Sequence, residues 1–161
     1  MALHHRVVVL GALGFLVSLY ALHVESELAN ELVEDYQPMC VTQYGSCTAV
    51  FSSEYAHLLS HWGLVEKGSA LDLSLATLGA FNYGLYALFP FWPLGRSAAA
   101  TALLAISLAS CGFSVYLLYV LKMILKDFCI VCTTFHAINF SMLFFAARPI
   151  YAGRRARAKA A

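Results

Sequence analysis

The chain has 161 residues, of which 61% are hydrophobic and 12% charged, and its formal net charge is +1. A soluble domain of this length has no core large enough to bury so much apolar surface, so the composition excludes an ordinary soluble globular protein. Lipid is therefore expected to be the solvent for much of the chain.

Four runs without a charged side chain are long enough to cross a membrane as helices. About 20 apolar residues span a hydrocarbon core, and a helix satisfies its own backbone hydrogen bonds there. The runs are Val7–Val24, Leu73–Trp92, Ser97–Leu121 and Phe128–Ala147. They predict an all-α integral membrane bundle of four transmembrane helices, with residues 1–147 as one domain and residues 148–161 as a basic tail.

The first run has a second interpretation, because an apolar stretch after a basic start can be a cleaved signal peptide. The run is long, however, and His23, Val24 and Glu25 follow it where an Ala-x-Ala-like cleavage site would stand. We therefore expect it to remain in the protein as a membrane helix.

The charged residues are divided between the two ends of the predicted bundle. Arg6, Arg96 and the basic residues of the tail flank three of the ends, whereas every acidic residue but one lies in Glu25–Asp72. The positive-inside rule then places both termini and the Arg96 loop in the cytoplasm. The acidic loop and the short loop Lys122–Asp127 lie on the opposite side. The two lysines of that short loop oppose this orientation but are outnumbered.

The acidic loop Glu25–Asp72 is predicted to form a lid over the non-cytoplasmic end of the bundle. Its polar opening, ESELANELVEDY, continues the first helix, and Pro38 and Gly45 then break the helix. Further on, apolar residues recur at helical spacing: Val50, Phe51, Tyr55, Leu58, Leu59 and Trp62. They predict an amphipathic half-helix that either lies in the membrane interface or packs on the bundle.

The end of the tail, Tyr151–Ala161, is rich in Arg and Ala and is predicted to be disordered and solvated. A functional alternative is contact with anionic lipid, or a basic retrieval signal at the C-terminus.

Four of the five cysteines are predicted to lie on the same side of the membrane. Cys40 and Cys47 are in the acidic loop, and Cys129 and Cys132 open the fourth helix. That side is the oxidising one if the orientation is right. Cys111 lies mid-way along the third helix and is expected to act as a small apolar residue.

Three interpretations of the four cysteines are open. Two permanent disulfides would staple the loop, with a pairing that sequence does not decide. Four thiolates can hold zinc, but Cys40-x6-Cys47 is a poor zinc motif, and an oxidising side disfavours free thiolates. Redox exchange is favoured, because the dipole and free N–H groups of a helix N-terminus stabilise the thiolate of a Cys-x-x-Cys pair.

Polar residues deeper in the fourth helix indicate the kind of substrate. His136 lies one turn beyond Cys132 on the same face, and Asn139 lies a further turn along. Polar side chains inside a span are costly and usually face a cavity or a partner helix. A thiol with His136 beside it suits a lipophilic carbonyl compound such as a quinone. Asn139 is expected to bond a neighbouring helix.

Five segments carry a resemblance to a known family: SLYALHVE (18–25), CTAVFSSEY (47–55), GLVEKG (63–68), LGAFNY (78–83) and DFCIVCTTFHAIN (127–139). Over roughly residues 10–147 the chain resembles the vitamin K epoxide reductase family, including the order and approximate spacing of its two cysteine pairs. The eukaryotic, single-domain members, which have no appended thioredoxin domain, are the most similar.

The resemblance implies an endoplasmic reticulum membrane enzyme that reduces vitamin K epoxide and vitamin K quinone with electrons from lumenal thioredoxin-like proteins. It implies that Cys132 is the catalytic thiol facing the quinone, that Cys129 is its partner, and that Cys40 and Cys47 relay electrons inward. No tightly bound cofactor, metal or nucleic acid is expected. Inhibitors of the 4-hydroxycoumarin type are candidate ligands.

The resemblance also implies a set of substrate-binding residues. Phe51 matches the aromatic residue that packs on the naphthoquinone ring, and Val50, Ser52 and Ser53 complete its segment. Tyr83, in the LGAFNY segment, belongs to the same predicted set.

Two positions depart from the vertebrate pattern. His136 stands where vertebrate members have Tyr, and Leu75 falls near the position of their quinone-binding Asn. Leu75 cannot donate a hydrogen bond, so Ser74, Thr77 or Asn82 is a candidate replacement. These differences leave epoxide specificity and anticoagulant sensitivity open.

Two other functions are also open. A quinone-linked thiol oxidase would support disulfide formation without epoxide activity, and a non-enzymatic membrane scaffold would hold two structural disulfides. Redox titration distinguishes the classes, because a scaffold's cysteines resist reduction whereas an enzyme's exchange readily with a quinol.

Overall fold

The computed structural model describes residues 2–29, 38, 40 and 47–160, with side chains described from His4 to Arg148 within those ranges. The described residues form helices and turns and contain no strand. Six α-helices follow one another: α1 Ala2–Leu28, α2 Cys47–Phe51, α3 Leu58–His61, α4 Leu75–Ala87, α5 Arg96–Tyr119 and α6 Ile130–Ala160. Two 3₁₀ turns, Glu54–Ala56 and Phe89–Phe91, and a π-helical turn, Val120–Leu125, complete the order. The all-α prediction is confirmed for these residues.

Three of the four predicted spans coincide with described helices that are long and apolar enough to cross a membrane. They are His4–Leu28, Arg96–Leu125 and Ile130–Arg148. The run Leu73–Trp92 instead contains α4, whose 13 residues correspond to about 20 Å of helix, against a hydrocarbon core of about 30 Å. The 3₁₀ turn at Pro90 follows it, because proline cannot continue the hydrogen-bonding of a helix. A fourth membrane crossing stays a prediction.

Small residues allow α1 to pack closely on α4. A Cβ added at Gly11 would collide with the backbone at Tyr86 and Ala87, and one at Gly14 would collide with the Tyr83 ring. Ser18, one turn further, is buried and donates its hydroxyl hydrogen to the Gly14 carbonyl at 2.9 Å. This close approach of the two backbones packs α1 against the face of α4 that carries Tyr83.

The predicted loop Lys122–Asp127 is wrong over most of its length. The third span continues as the π-helical turn Val120–Leu125, and the chain reverses at Lys126, whose φ of 52° lies in the left-handed region. Asp127 then accepts a hydrogen bond from the N–H of Phe128 at 2.7 Å. Helix α6 begins at Ile130, two residues after the predicted Phe128.

The connecting segment (residues 47–74) is not the continuous amphipathic half-helix that its spacing predicted. It consists of α2, a 3₁₀ turn and α3. The hydroxyl of Ser53 donates to the Val50 carbonyl at 2.7 Å, and this type of local bond competes with helix continuation. Trp62 packs against Phe113 and Tyr116 of α5, with ring centroids 6.0 and 5.7 Å away. The segment therefore packs on the bundle, one of the two arrangements predicted.

The prediction for the loop after α1 and the prediction for the C-terminal tail have different outcomes. The predicted continuation of α1 through Tyr36 is described only as far as Ala29. Of the two predicted helix breakers, Pro38 is not helical, and Gly45 lies outside the described residues. The predicted disorder of the tail is wrong for residues 151–160, which form the end of α6, and Ala161 lies outside the described residues. Ala and Arg both favour helix, so the apolar span can propagate into the tail.

Candidate active site

Three cysteine thiols meet in one buried apolar cluster. Cys47 opens α2, Cys129 directly precedes α6, and their sulfur atoms are 3.5 Å apart, with Cys129 as donor. The Cys47 thiol in turn donates to the backbone carbonyl of Cys40 at 3.6 Å. All three are at most 4% exposed and pack with Ala21 and Val131. The structure holds them as free thiols, close enough for exchange between the two pairs.

The Cys-x-x-Cys pair at the start of α6 faces two directions. The Cys129 carbonyl accepts the first helical hydrogen bond, from Thr133 N–H at 3.0 Å, and its sulfur accepts one from Cys132 N–H at 3.2 Å. Cys129 is therefore the N-cap of α6, with sulfur in the position of the usual capping oxygen. Cys132, three residues on, lines a cavity inside the bundle. One cysteine of the pair faces Cys47, and the other faces the cavity.

The expected stabilisation of thiolate is not the dominant effect at these cysteines. Burial, followed by the hydrogen bond with Cys47, raises the pKa of the Cys40 thiol to about 11. Its hydrogen bond with Cys129, together with burial, raises the pKa of Cys47. The hydrogen bond with Cys132 and burial raise the pKa of Cys129 to about 12. Because all three pKa shifts favour the thiol form, Cys40, Cys47 and Cys129 are protonated at neutral pH when the cluster is reduced.

The cavity beside Cys132 has a volume of about 330 Å³ and is enclosed mainly by aliphatic and aromatic side chains. This is the size and character of a pocket for a small lipophilic ligand. The connecting segment, α4, α5, the π-helical turn and α6 all contribute. Predicted site residues that line it are Val50, Phe51, Leu75, Tyr83, Cys132 and His136. Ser52 was also predicted but is exposed and does not line the cavity, because α2 ends at Phe51 and turns Ser52 to the surface.

His136 places an unsatisfied polar group at the cavity. The side chain is 5% exposed, and neither ring nitrogen has a hydrogen-bond partner within the described part of the chain. A buried polar group without a partner costs free energy that a hydrogen bond to a ligand can recover. A neutral imidazole can donate from one nitrogen, so this position suits a ligand carbonyl.

Asn139 has the structural role expected of it. Its amide oxygen accepts from the Tyr83 hydroxyl at 2.9 Å, and its amide nitrogen donates to the Ser114 hydroxyl at 2.8 Å. The Tyr83 ring stacks on Phe135 with centroids 5.6 Å apart. Because these contacts join α4, α5 and α6, they fix the wall of the cavity and occupy the Tyr83 hydroxyl.

The candidate replacements for a quinone-binding Asn differ in position. Ser74 is the N-cap of α4, accepting from Thr77 N–H at 3.2 Å, and neither residue lines the cavity. Asn82 lines it and donates to the Ser110 hydroxyl at 3.2 Å. Asn82 is therefore the replacement that the structure brings to the cavity.

Ser110 and Ser114 of α5 are cavity residues that the sequence analysis missed. With Ser107 they occur at spacings of three and four residues, which places them on one helix face. That periodicity inside an apolar run was the available signal. Tyr55 of the connecting segment also lines the cavity and was assigned only to an amphipathic face.

A charged cluster joins the connecting segment to the end of α1 and links two parts of the connecting segment itself. His57 Nε2 lies 3.3 Å from a carboxylate oxygen of Glu25, and His57 Nδ1 lies 3.5 Å from one of Asp72. Nδ1 is also 3.0 Å from the Asp72 carbonyl oxygen. A hydrogen bond from the Gly68 N–H lowers the pKa of the Asp72 carboxyl, which keeps it ionised beside the imidazole. The connecting segment is thereby tied to α1, and its middle is tied to its end before α4.

A group of three or more His, Cys, Asp or Glu side chains able to hold a metal ion does not occur among the described residues. The chemistry available from the described geometry is thiol–disulfide exchange next to an apolar pocket.

Comparison with known proteins shows the family to which this chain belongs. The model of the vitamin K epoxide reductase family matches residues 6–147. The chain belongs to the vitamin K epoxide reductase family. It is 39% identical over 135 residues to vitamin K epoxide reductase complex subunit 1 of Mus musculus and 38% identical to that of Rattus norvegicus, covering 81% of this chain and 80% of each relative.

Membership of the vitamin K epoxide reductase family makes the protein an oxidoreductase. The matched region contains all five cysteines, the cavity and the charged cluster. The apolar helices are those of a membrane protein, as the composition predicted.

Proposed function

We propose that the protein is a membrane thiol–quinone oxidoreductase that reduces vitamin K epoxide and vitamin K quinone with electrons from lumenal thioredoxin-like dithiols. The observation that carries the proposal is the division of the Cys-x-x-Cys pair. Cys129 lies 3.5 Å from Cys47, whereas Cys132 lines the cavity. A chain of sulfur atoms thus leads from the connecting segment to a lipophilic pocket.

Electrons enter through the outer pair, Cys40 and Cys47. A partner dithiol reduces the Cys40–Cys47 disulfide and is itself oxidised. The Cys47 thiolate attacks Cys129 of the Cys129–Cys132 disulfide, so that a Cys47–Cys129 bond forms and Cys132 leaves as a thiolate. Cys40 then attacks Cys47, re-forms the outer disulfide and releases Cys129.

Reduction of the substrate takes place at Cys132. Its thiolate attacks the epoxide or quinone, and His136 donates a hydrogen bond to the oxygen on which negative charge develops. Cys129 then attacks Cys132 and restores the inner disulfide. The two thiols supply two electrons and two protons, which convert an epoxide to quinone and water, or a quinone to hydroquinone. The dithiols carry the electrons, so the cycle requires no tightly bound cofactor.

The proposed setting is the endoplasmic reticulum membrane. Both termini and the Arg96 loop are cytoplasmic, and the connecting segment is a lumenal lid on a four-helix bundle. Support comes from the concentration of acidic residues in Glu25–Asp72 and of basic residues elsewhere. On this orientation α4 crosses together with its flanking turns. Impermeant thiol reagents added from the lumen should label cysteines introduced within 54–72, and not cysteines introduced within 154–159. Labelling of the tail from the lumen contradicts the orientation.

A second candidate function is quinone-linked thiol oxidation without epoxide activity. It is favoured by two cavity residues whose hydrogen-bonding ability differs from that of vertebrate members. Leu75 offers no hydrogen bond, and His136 stands where vertebrate members have Tyr. The physiological acceptor in that case is a quinone alone, and 4-hydroxycoumarin-type inhibitors bind weakly.

The deciding experiment compares vitamin K epoxide, vitamin K quinone and ubiquinone as substrates of the purified protein, with dithiothreitol as reductant. Turnover of the epoxide supports the first function, and turnover of quinones alone supports the second. Cys111→Ala is the matched control, because Cys111 lies outside the cavity lining and the thiol cluster. If none of the three substrates is turned over and the cysteines resist reduction, both redox functions are wrong. The non-enzymatic membrane scaffold with two structural disulfides then remains.

A further inference from the structure

Tyr83 and Asn139 line the cavity but have no hydrogen left to donate to a ligand. The hydroxyl of Tyr83 donates its single hydrogen to the Asn139 amide oxygen at 2.9 Å. The Asn139 amide nitrogen donates to the Ser114 hydroxyl at 2.8 Å and to the Ser110 carbonyl at 3.5 Å, which uses both of its hydrogens. These donors hold the helices around the cavity together.

Asn82 of α4 also lines the cavity, and one N–H of its amide has no partner in the described part of the chain. An amide nitrogen carries two hydrogens. One is donated to the Ser110 hydroxyl at 3.2 Å, and the amide oxygen lies 3.5 Å from that same hydroxyl. Asn82 is half-buried in a mainly apolar wall, where a polar group without a partner costs free energy. A ligand oxygen that accepts a hydrogen bond recovers this cost.

The bond with Ser110 also fixes the direction of the Asn82 amide. Ser110 belongs to α5, and its hydroxyl lies 3.4 Å from the hydroxyl of Tyr86, a fully buried side chain of α4. The amide is thereby held between two helices. A donor that is fixed before the ligand arrives loses less conformational entropy on binding than a freely rotating side chain. Asn82 is therefore a preorganised hydrogen-bond donor.

We propose that Asn82 determines the specificity of the cavity by donating its second amide N–H to one oxygen of a quinone ring, while His136 donates to the other. The two donors line the same cavity from α4 and α6. The proposal rests on the proposed function and narrows its substrate to rings with two carbonyl oxygens, as in para-quinones and their epoxides. A ring with one carbonyl satisfies His136 and leaves the Asn82 N–H unpaired, so it binds less tightly.

The position of Asn82 also predicts which kinetic constant it affects. Cys132 and His136 share α6, so in the proposed cycle negative charge develops on the oxygen that His136 binds. Asn82 binds the other oxygen, from a different helix. Its hydrogen bond is made both before the thiolate attacks and during the attack, and such a bond lowers KM without raising kcat.

The test measures binding to the full-length protein in a Cys132→Ala background, which prevents turnover. The probes are a para-naphthoquinone methylated at both free quinone-ring carbons, so that thiols do not add to it, and tetralone, a bicyclic ring with one carbonyl. By isothermal titration calorimetry, Asn82→Leu should raise the Kd of the quinone about tenfold and that of tetralone less than about twofold. With Cys132 restored and dithiothreitol as reductant, Asn82→Leu should raise the KM for vitamin K quinone by a similar factor at unchanged kcat.

Two serine variants complete the test. Ser110→Ala keeps the Asn82 amide but removes its partner, so it should weaken quinone binding in the same direction by a smaller factor. Ser107→Ala removes a hydroxyl of α5 that does not line the cavity, and it is the matched control that should bind both probes as the parent does.

Each outcome of the binding test separates the role of Asn82 from the proposed function. An equal loss for quinone and tetralone means that Asn82 only shapes the cavity, and an unchanged Kd for the quinone means that Asn82 does not bind it. Either result overturns the proposal while turnover of vitamin K quinone by the parent stands. If the parent binds the quinone through Asn82 but turns over no quinone, the binding role is supported and the proposed function is wrong.

Discussion

The two cysteine pairs differ in the backbone that holds them and in what they face. Cys47 begins a five-residue helix in a connecting segment made of short turns, and its sulfur faces other sulfurs in a buried cluster. Cys129 and Cys132 lie at the start of a long apolar helix, and Cys132 opens onto the cavity. In the proposed cycle, this difference separates reduction of the enzyme by a partner protein from reduction of the substrate. Cys129 is the residue that belongs to both regions, because it contacts Cys47 and caps the helix of Cys132.

The largest expected effect comes from removing the inner pair. Cys129→Ala and Cys132→Ala should each abolish turnover with dithiothreitol, because no other thiol in the cluster lines the cavity. Cys40→Ala should keep much of its activity with dithiothreitol and lose activity only with a protein reductant. Quinone reduction by purified variants measures this. Equal loss from all these variants with dithiothreitol would contradict the division between the pairs.

The outer pair can be distinguished by the pH dependence of its reactivity. The pKa of Cys40 is raised to about 11, so its thiolate fraction keeps increasing well above the pKa of an ordinary thiol. Between pH 7.5 and 9.5, alkylation of Cys40 in the reduced protein should accelerate ~100-fold, compared with ~10-fold for a thiol of pKa 8.5. Mass spectrometry of alkylated peptides measures both rates, and the denatured protein is the control. If alkylation of Cys40 in the folded protein shows the pH dependence of an ordinary thiol, burial does not raise the pKa of Cys40.

His136 tests the substrate side of the comparison. His136→Phe should weaken substrate use by about 1–3 kcal/mol, the usual cost of losing the partner of a buried polar group. The helix should still form, because phenylalanine is well tolerated in lipid. His136→Tyr, the vertebrate residue, should preserve or raise activity on vitamin K epoxide. Measured kcat/KM on each quinone decides, and a phenylalanine variant equal to the parent would make His136 structural and move attention to Asn82.

The smallest expected effect concerns the charged cluster that ties the connecting segment in place. Glu25→Gln removes one carboxylate facing His57, and His57→Gln removes the imidazole. Partly exposed pairs contribute little, so each should raise the KM for quinone about two- to fivefold without changing the dithiothreitol-driven kcat. The double variant should be no worse than His57→Gln alone, since both remove the same contact. Glu27→Gln, at a neighbouring acid of α1 outside the cluster, is the control. A fall in kcat with unchanged KM would place the effect on the chemistry instead.

The sequence by itself determined that the protein is a membrane protein, where most of its helices lie, and that its inner cysteine pair lies at the start of a helix. Three uncharged runs are enough to predict the membrane-spanning parts of α1, α5 and α6, because a helix that is long and apolar enough is stable in lipid. The position of Cys129 and Cys132 at a helix start, and of His136 one turn on, follows from the 3.6-residue period. Family resemblance supplied Phe51 and Val50, and both line the cavity.

Only the tertiary structure decided which cysteine of the outer pair touches which cysteine of the inner pair. Four cysteines allow several pairings, and the approach of Cys47 to Cys129 depends on how the connecting segment folds over α6. The same holds for Asn82, Ser110 and Ser114, whose positions around one cavity require three helices to pack. Local periodicity also failed at residues 48–66, where a helical pattern became short turns. Hydroxyl-to-backbone bonds and packing of Trp62 on α5 outweigh intrinsic helix preference there, and neither is visible in one segment of sequence.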